Sequence, residues 1–345
     1  MFAQCGLTAT WCMSIGVRKD GTGCCGMKQE WRLEIRDCVF IVGPTAAGKS
    51  EVGVALAELV GGEIISLDSM AVYRGMDIGT AKPTQEQRQR VPHHLIDVVD
   101  PWEEYSVAKY LADAAQCLQQ IRERGKVPVF VGGTPLYLKA VLRGLFEGPE
   151  ADWEFRHQWR LLAEANPPGF LHAELTKVDP VSASKLHPHD WRRLIRALEV
   201  YHKTGRPLSE WQSQFEKPCS EAMGRAIVLD WPRDILYRRI DARVDAMFDR
   251  GLVAEVERIL SSGKGFGRTA SQALGYREVL AYLSGAMSLE ETITAVKTRT
   301  HQFAKRQLTW FRHLEECYFL SVDKPFYPTG IAQQIALDLH LTPLS

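Results

Sequence analysis

The chain has 345 residues, of which 45% are hydrophobic and 24% charged, enough to bury a sizeable core and too many apolar residues for a disordered chain. At roughly 150 residues per domain the length suggests about two domains. The 42 Lys and Arg balance the 42 Asp and Glu, which excludes a uniformly basic nucleic-acid binder. No run approaches the roughly 18 apolar residues of a membrane span, and the N-terminus lacks the apolar block of a secretory signal, so a cytoplasmic protein with no membrane contact is expected. The eight cysteines, five of them in the first 38 residues, include no C-x-x-C pair. Free thiols are expected, rather than a disulfide framework or a zinc site.

In chain order, residues 1–35 show no sustained apolar period and read as a flexible N-terminal extension. Met27 stands shortly before the first convincing strand, so residues 1–26 are an extension or the product of a start codon placed too early. From there to about residue 150 strands alternate with helices. The run 38–42 is a strand, 51–60 a helix, 63–67 a strand, 105–124 a long helix ended by Gly125, and 127–131 a third buried strand. Apolar runs separated by helices predict an α/β fold, a P-loop-like parallel sheet with helices on both faces. Residues 151–222 contain no strand-like run and are broken by Pro167, Pro168, Pro180 and Pro188; they predict a helical insertion domain. The chain returns to the sheet at 226–229. A helix then starts at Pro232, with Asp234 in its first turn, and closes at Gly251. Ser288 and Glu291 form a capping box for a last long helix reaching about Arg312. The α/β core therefore spans 36–150 and 223–325.

The strongest local signal is Gly43-Pro44-Thr45-Ala46-Ala47-Gly48-Lys49-Ser50, a full G-x-x-x-x-G-K-[ST] match between a strand and a helix. Its glycines let backbone N–H groups face a phosphate chain at a helix N-terminus. Lys49 adds a point charge, and Ser50 places a hydroxyl to ligate Mg²⁺. A polyphosphate site is predicted. In nucleotide hydrolases of this class a second apolar strand ends in an Asp that helps to hold Mg²⁺. Here 127–131 ends in Gly132-Gly133-Thr134 instead, and the acid appears at Asp68, after the strand 63–67. Asp68, Thr134 and the phosphate loop all fall at the carboxyl ends of strands, where open α/β sheets bind ligands. Spacing alone leaves Asp68 equally a base or a turn residue.

The segment from Asp68 to Pro83, Asp-Ser-Met-Ala-Val-Tyr-Arg-Gly-Met-Asp-Ile-Gly-Thr-Ala-Lys-Pro, taken with the phosphate loop, resembles the tRNA dimethylallyltransferases (tRNA isopentenyltransferases). Further matches are Pro92-His-His-Leu-Ile-Asp97, Gly132-Gly-Thr-Pro-Leu-Tyr137, Arg196-Ala-Leu-Glu-Val-Tyr201, Gly275-Tyr-Arg277 and Ala304-Lys-Arg-Gln-Leu-Thr-Trp-Phe-Arg312. The likeness covers about 38–325. No Cys/His zinc module follows it, so the bacterial form is the one resembled.

The resemblance implies prenyl transfer rather than phosphoryl transfer. Dimethylallyl diphosphate donates its five-carbon group to N6 of the adenosine 3′ of the anticodon, in tRNAs reading codons that begin with U. The product is N6-(dimethylallyl)adenosine, and the phosphate loop holds the leaving diphosphate. Carried over by position, Asp68 is the general base, Thr134 contacts the bridging oxygen, and Lys49, Ser50 with Mg²⁺ and Arg243 neutralise the diphosphate. Contacts to the tRNA anticodon stem-loop are implied at Asp68, Ser69, Met70, Ala71, Thr134, Arg156, Arg192, Arg193, Leu194, Ile195, Arg196, Gln272, Ala273, Leu274, Gly275, Tyr276 and Arg277. The family also implies a monomer.

The residues support these roles to different degrees. An exocyclic amine is a poor nucleophile, so a base that takes its proton and fixes its direction helps. Allylic ionisation leaves charge on the diphosphate, where preorganised cations act most strongly. Arg239 and Arg243 lie four apart on one helix face beside the stripe Leu236, Ile240, Val244 and Met247. By periodicity both are surface arginines, and only the resemblance selects Arg243. Tyr276 could stack on a base, although an isolated tyrosine is more often packing. His93, His94, His187 and His189 lack neighbours at metal spacing. The zero net charge is a sum of opposed regions. Residues 50–104 carry ten acids against four bases, and residues 297–313 carry five bases and no acid. A basic helix can therefore still meet RNA phosphates. The rival readings are a P-loop small-molecule kinase, favoured by the loop alone, and a nucleotide-dependent RNA-binding protein.

Overall fold

The computed structural model describes residues 30–31, 33–146, 148–211 and 218–342. The strands are β1 (Glu30–Trp31), β2 (Val39–Val42), β3 (Gly62–Ser66), β4 (His93–His94), β5 (Val127–Gly132), β6 (Leu145–Phe146), β7 (Ala226–Asp230) and β8 (Cys317–Ser321). The helices are α1 (Lys49–Val60), α2 (Gln85–Arg90), α3 (Val107–Glu123), α4 (Pro135–Arg143), α5 (Trp153–Ala165), α6 (Phe170–Val178), α7 (Pro180–Lys185), α8 (Trp191–Thr204), α9 (Leu208–Trp211), α10 (Arg233–Asp249), α11 (Leu252–Ser261), α12 (Tyr276–Leu283), α13 (Leu289–Arg312) and α14 (Pro328–Asp338).

The described residues fall into two compact units, 33–142 with 218–342, and 143–211 with β1. In the first unit six parallel strands form one sheet in the order β4-β3-β5-β2-β7-β8. The four residues of β2 are wholly buried, as a central parallel strand covered on both faces requires. Phe40 and Phe130 stack between neighbouring strands, with ring centroids 4.9 Å apart. In-register pairing of Val42 with Gly132 and of Val42 with Val228 sets the turns after β2, β5 and β7 side by side at one sheet edge. The turn after β3 joins them, because Leu67 bonds back to Val131 and Thr134 bonds to Leu67.

The predicted elements agree with this sheet to within two residues, and α10 buries the expected stripe Leu236, Ile240, Val244 and Met247. The capping box of α13 forms: Ser288 Oγ accepts the Glu291 N–H at 3.2 Å, and Glu291 accepts the Ser288 N–H at 2.8 Å. Two differences stand out. Within the stretch 1–35 expected as an extension, Ile35 is 1% exposed and β1 pairs with β6; residues 1–29, including the segment ahead of Met27, lie outside the described ones. The chain also adds β8 and α14 after α13, and α14 packs on α1 through Ala332, Ile335 and Ala336. The sequence reading missed them because β8 is short and half exposed and α14 has only three buried residues.

The described part of the second unit is helical apart from the β1–β6 pair; β1 aside, it begins at residue 143, and 218–222, expected in the insertion, belong to the first unit. Its own core contains Leu171, Leu175, Leu194, Ile195, Ala197 and Leu198. Asp179 organises it, capping α7 through the Ser182 N–H at 2.9 Å and accepting the Ser209 N–H at 3.0 Å. Among the described residues Cys38, Cys117, Cys219 and Cys317 are free thiols, and no helix is long and apolar enough to cross a membrane.

Candidate active site

The phosphate loop curls as the motif requires. Gly48 caps α1 with φ 87°, and Ala46 also holds a positive φ of 63°. A Cβ on Gly48 would stand 2.3 Å from the ring of Phe326, so glycine is demanded both by backbone and by space. The loop is held from behind by long-range contacts. Trp231 Nε1 donates to the Ala47 carbonyl at 3.0 Å and Arg239 Nε to the Ala46 carbonyl at 2.8 Å. The Arg239 guanidinium also lies over the rings of Trp231 and Phe326.

Lys49 reaches back to the Pro44 carbonyl at 2.7 Å. Burial pushes its ammonium down to about 8, and the neighbouring Arg243 charge adds to that push against the pull of Asp68 and Glu51. Burial likewise lowers Arg243, against the pull of the same two carboxylates. Arg243 Nε is shut off from solvent and has no hydrogen-bond partner. A buried guanidinium N–H without an acceptor, beside a second cation, is the arrangement an anion completes. Arg239 and Arg243 are thus separated in setting: the first braces the loop, and the second holds a buried Nε without an acceptor.

Asp68 follows β3 and is half-buried. Its Oδ1 accepts the Met70 N–H at 2.8 Å and the Ala71 N–H at 3.3 Å, an Asx turn that fixes the carboxyl. Oδ2 receives no hydrogen bond among the described residues. Thr134 follows β5, and its hydroxyl accepts the Ser69 N–H at 3.0 Å, tying the two turns together. Tyr110 supports the same edge by donating to the Ser66 carbonyl at 3.0 Å while stacking on Tyr137 at 4.2 Å. The structure therefore brings together Asp68, Ser69, Thr134, Lys49, Arg243 and residues 43–50.

The tie that sequence reasoning missed is Gln307 of α13. Its side chain accepts the Thr45 N–H at 2.9 Å and donates to the Gly133 carbonyl at 2.5 Å. The residue lies within the quoted run 304–312, but nothing local distinguishes it from an ordinary helical glutamine. Glu255 of α11 is a second such residue. It is 4% exposed and accepts the N–H groups of Asp77, Ile78 and Gly79 as well as the Tyr276 hydroxyl, fixing the segment that follows Asp68.

Several residues expected at tRNA turn out differently. Tyr276 is 0% exposed, its ring packed inward and its hydroxyl donating to Glu255. Ala71 and Ala273 are buried as well. Gln272 and Arg277 of the same stretch are exposed, Leu274 is half-buried, and Arg277 pairs with the buried Glu278. In the helical unit Leu194 and Ile195 point into its core, because α8 turns one face inward. Arg156 and Arg196 both pair with the fully buried Glu199, while Arg192 and Arg193 are exposed and Arg193 pairs with Asp190. His94 pairs with Glu63, and His187 stacks edge-on with His189. Among the described residues no group of three His, Cys, Asp or Glu could hold a metal. The half-buried Ser50 hydroxyl at the start of α1 offers one hard ligand, which suits Mg²⁺ held mainly by substrate phosphates and water.

A parallel sheet whose edge gathers a glycine-rich loop, two cations, a turn-fixed carboxylate and a hydroxyl is the arrangement of an enzyme of the P-loop-like fold. The IPP transferase model matches residues 71–314 and the isopentenyl transferase model residues 36–97. The chain is 46% identical over 299 residues to a tRNA dimethylallyltransferase of Pelotomaculum thermopropionicum, covering 86% of this chain and 95% of that protein. It is 47% identical over 297 residues to the one from Desulforudis audaxviator, covering 86% and 96%. The crystal structure of the tRNA isopentenylpyrophosphate transferase of Bacillus halodurans is similar with a TM-score of 0.63 and 40% identity over 89% of this chain and 97% of that one. A eukaryotic dimethylallyltransferase acting on tRNA is similar with a TM-score of 0.71 and 32% identity, covering 87% of this chain and 77% of that one. The chain belongs to the IPP transferase family, the tRNA dimethylallyltransferases.

Proposed function

We propose that this protein transfers a dimethylallyl group from dimethylallyl diphosphate to N6 of the adenosine 3′ of the anticodon in tRNA. The observation that carries the reading is the juxtaposition of Asp68 and Thr134 with the Lys49–Arg243 anion cradle, in a chain of this family. The phosphate loop N–H groups, Lys49 and Arg243 hold the diphosphate. Thr134 faces its bridging oxygen. The bond between C1 of the allyl group and that oxygen breaks, and both electrons leave on the diphosphate, where preorganised cations stabilise them. The amine nitrogen bonds to C1, and Asp68 takes the displaced proton on the carboxylate oxygen that the Asx turn leaves open. Ser50 would hold Mg²⁺ together with the diphosphate, and the ion would supply further charge neutralisation. Because Asp68 is half-buried, the target base leaves its stack to reach it. Arg192 and Arg193 are the exposed arginines of α8 that serve RNA phosphates, and Glu199 fixes Arg156 and Arg196. The enzyme works as a monomer in the cytoplasm.

The test is transfer of label from radiolabelled dimethylallyl diphosphate to unmodified tRNA in the presence of Mg²⁺. Label that stays off tRNA, with ATP consumed on a small acceptor instead, means a kinase. Asp68→Ala is expected to lower turnover by about 10²–10⁴-fold, the range of a general base, while filter binding of tRNA stays near the wild-type level. A mutant that keeps most of its rate removes Asp68 from the mechanism.

A further inference from the structure

Gln307 joins two segments that the chemistry needs at a fixed separation. Its carboxamide stands between the turn after β2 and the turn after β5, accepting from Thr45 N–H and donating to Gly133 C=O at 2.9 and 2.5 Å. It is 3% exposed, and it reaches across 262 residues of sequence to one partner and 174 to the other. The fit is tight. A Cβ on Gly133 would lie 2.6 Å from Gln307 Nε2 and 3.4 Å from Lys49 Nζ. The residue after Gly133 is Thr134, whose hydroxyl carries the Ser69 N–H. One side chain therefore spans the gap between the anion cradle and the Thr134–Ser69–Asp68 edge. Only a group with both a donor and an acceptor, at glutamine's length, makes both bonds.

We infer that Gln307 is a positioning residue for the transfer reaction: its carboxamide sets the spacing between the phosphate loop and the Gly133–Thr134 turn, and with it the alignment of the leaving oxygen against the base. The inference rests on the prenyl-transfer reading above. Gln307 touches neither reacting atom, and it acts through Thr45 and Gly133.

The experiment compares Gln307→Met and Gln307→Glu with wild type in steady-state transfer, with pyrophosphate affinity measured by calorimetry. Gln307→Met keeps the volume and loses both bonds. It is expected to lower kcat/KM for dimethylallyl diphosphate by about 30-fold, the size that follows from losing two buried hydrogen bonds, with most of the loss in kcat and the KM for tRNA within about twofold of wild type. Gln307→Glu keeps the acceptor but, ionised, has no proton for the Gly133 carbonyl; protonated, it reproduces the glutamine pattern. Its activity relative to wild type should therefore rise by about tenfold as pH falls from 8.5 to 6, a rescue that a role in packing alone does not produce. The inference is overturned if Gln307→Met stays within about threefold of wild type, if its KM for tRNA rises in step with the loss, or if the Gln307→Glu ratio is flat with pH. If Gln307→Met does not fold, the Gln307→Glu profile decides alone. A wild-type protein that moves no label to tRNA sinks the prenyl-transfer reading instead; the brace is then judged on pyrophosphate, where Gln307→Met must weaken binding by about fivefold or more or the inference falls.

Discussion

Lys49 illustrates how a single buried charge links pH to ligand binding. In the free protein its ammonium titrates near about 8, because burial and Arg243 both oppose the charge. A diphosphate beside it favours the charged form and raises that value. Above about pH 8, binding therefore takes up a proton, and affinity weakens as pH rises through 8. Calorimetry of pyrophosphate binding in buffers of different ionisation enthalpy should show that uptake at pH 8.5 and lose it in Lys49→Met; an equal signal in both proteins assigns the proton elsewhere. The sign for folding is opposite in sense. The unfolded chain, with the ordinary lysine value of 10.5, binds this proton more tightly than the folded one, so Lys49's own contribution to stability rises with pH between about 8 and 10.5. At this scale the sequence was legible where a role follows from neighbours in the chain. The loop motif located Lys49 and Ser50, and strand ends located Asp68 and Thr134. It was silent on Arg239 against Arg243, because that choice depends on which arginine meets the Ala46 carbonyl 193 residues away.

Among the elements, the connection after Asp68 gains its shape from α11. Three backbone N–H groups at 77–79 converge on Glu255, which the Tyr276 hydroxyl also engages. Removing the carboxylate takes the acceptor from the buried Tyr276 hydroxyl, at about 1–3 kcal/mol, and from three part-buried N–H groups, which cost less each. Glu255→Ala should therefore lower unfolding stability by about 3 kcal/mol or more, read from the urea midpoint at unchanged slope. A loss below about 1 kcal/mol means that water replaces the carboxylate. The elements were legible wherever a continuous apolar run or a capping box announced them, as in β2, β5 and α13. Tyr276 shows the limit. Its place beside Arg277 suggested RNA contact, yet its ring is buried and its hydroxyl faces a carboxylate 21 residues earlier. In the same way the resemblance placed the arginine run of α8 and its neighbours at tRNA. The helix period alone sends Leu194 and Ile195 inward, and the buried Glu199 engages Arg196 three residues before it.

For the whole molecule the balanced charge of 42 against 42 conceals local excess. On α13, Lys305 and Arg306 are exposed, and on α8, Arg192 and Arg193 are exposed. Each phosphate contact releases counterions, so tRNA affinity should fall linearly on logarithmic axes as salt rises. Arg192→Ala and Arg193→Ala should each reduce the slope by about one unit, with affinity lowered evenly across tRNA sequences. A slope near zero, or one unmoved by both changes, removes these arginines from the interface. The pattern changes near residue 150 and the boundary between the units lies at 142/143, while the contribution of 328–338 to the core was not legible, since only packing on α1 reveals it.

The covering of the phosphate loop has a consequence for how the protein is made. Residues 43–50 leave the ribosome early, yet Gln307 supplies one of the loop's bonds, Phe326 closes over Gly48 and Arg239 stacks on that same ring. A nascent chain displaying the motif thus lacks the groups that shape it until about 276 further residues, from Ser50 to Phe326, have been translated. The anion cradle is among the last parts of the first unit to be completed during synthesis, although its signature is among the first to be written.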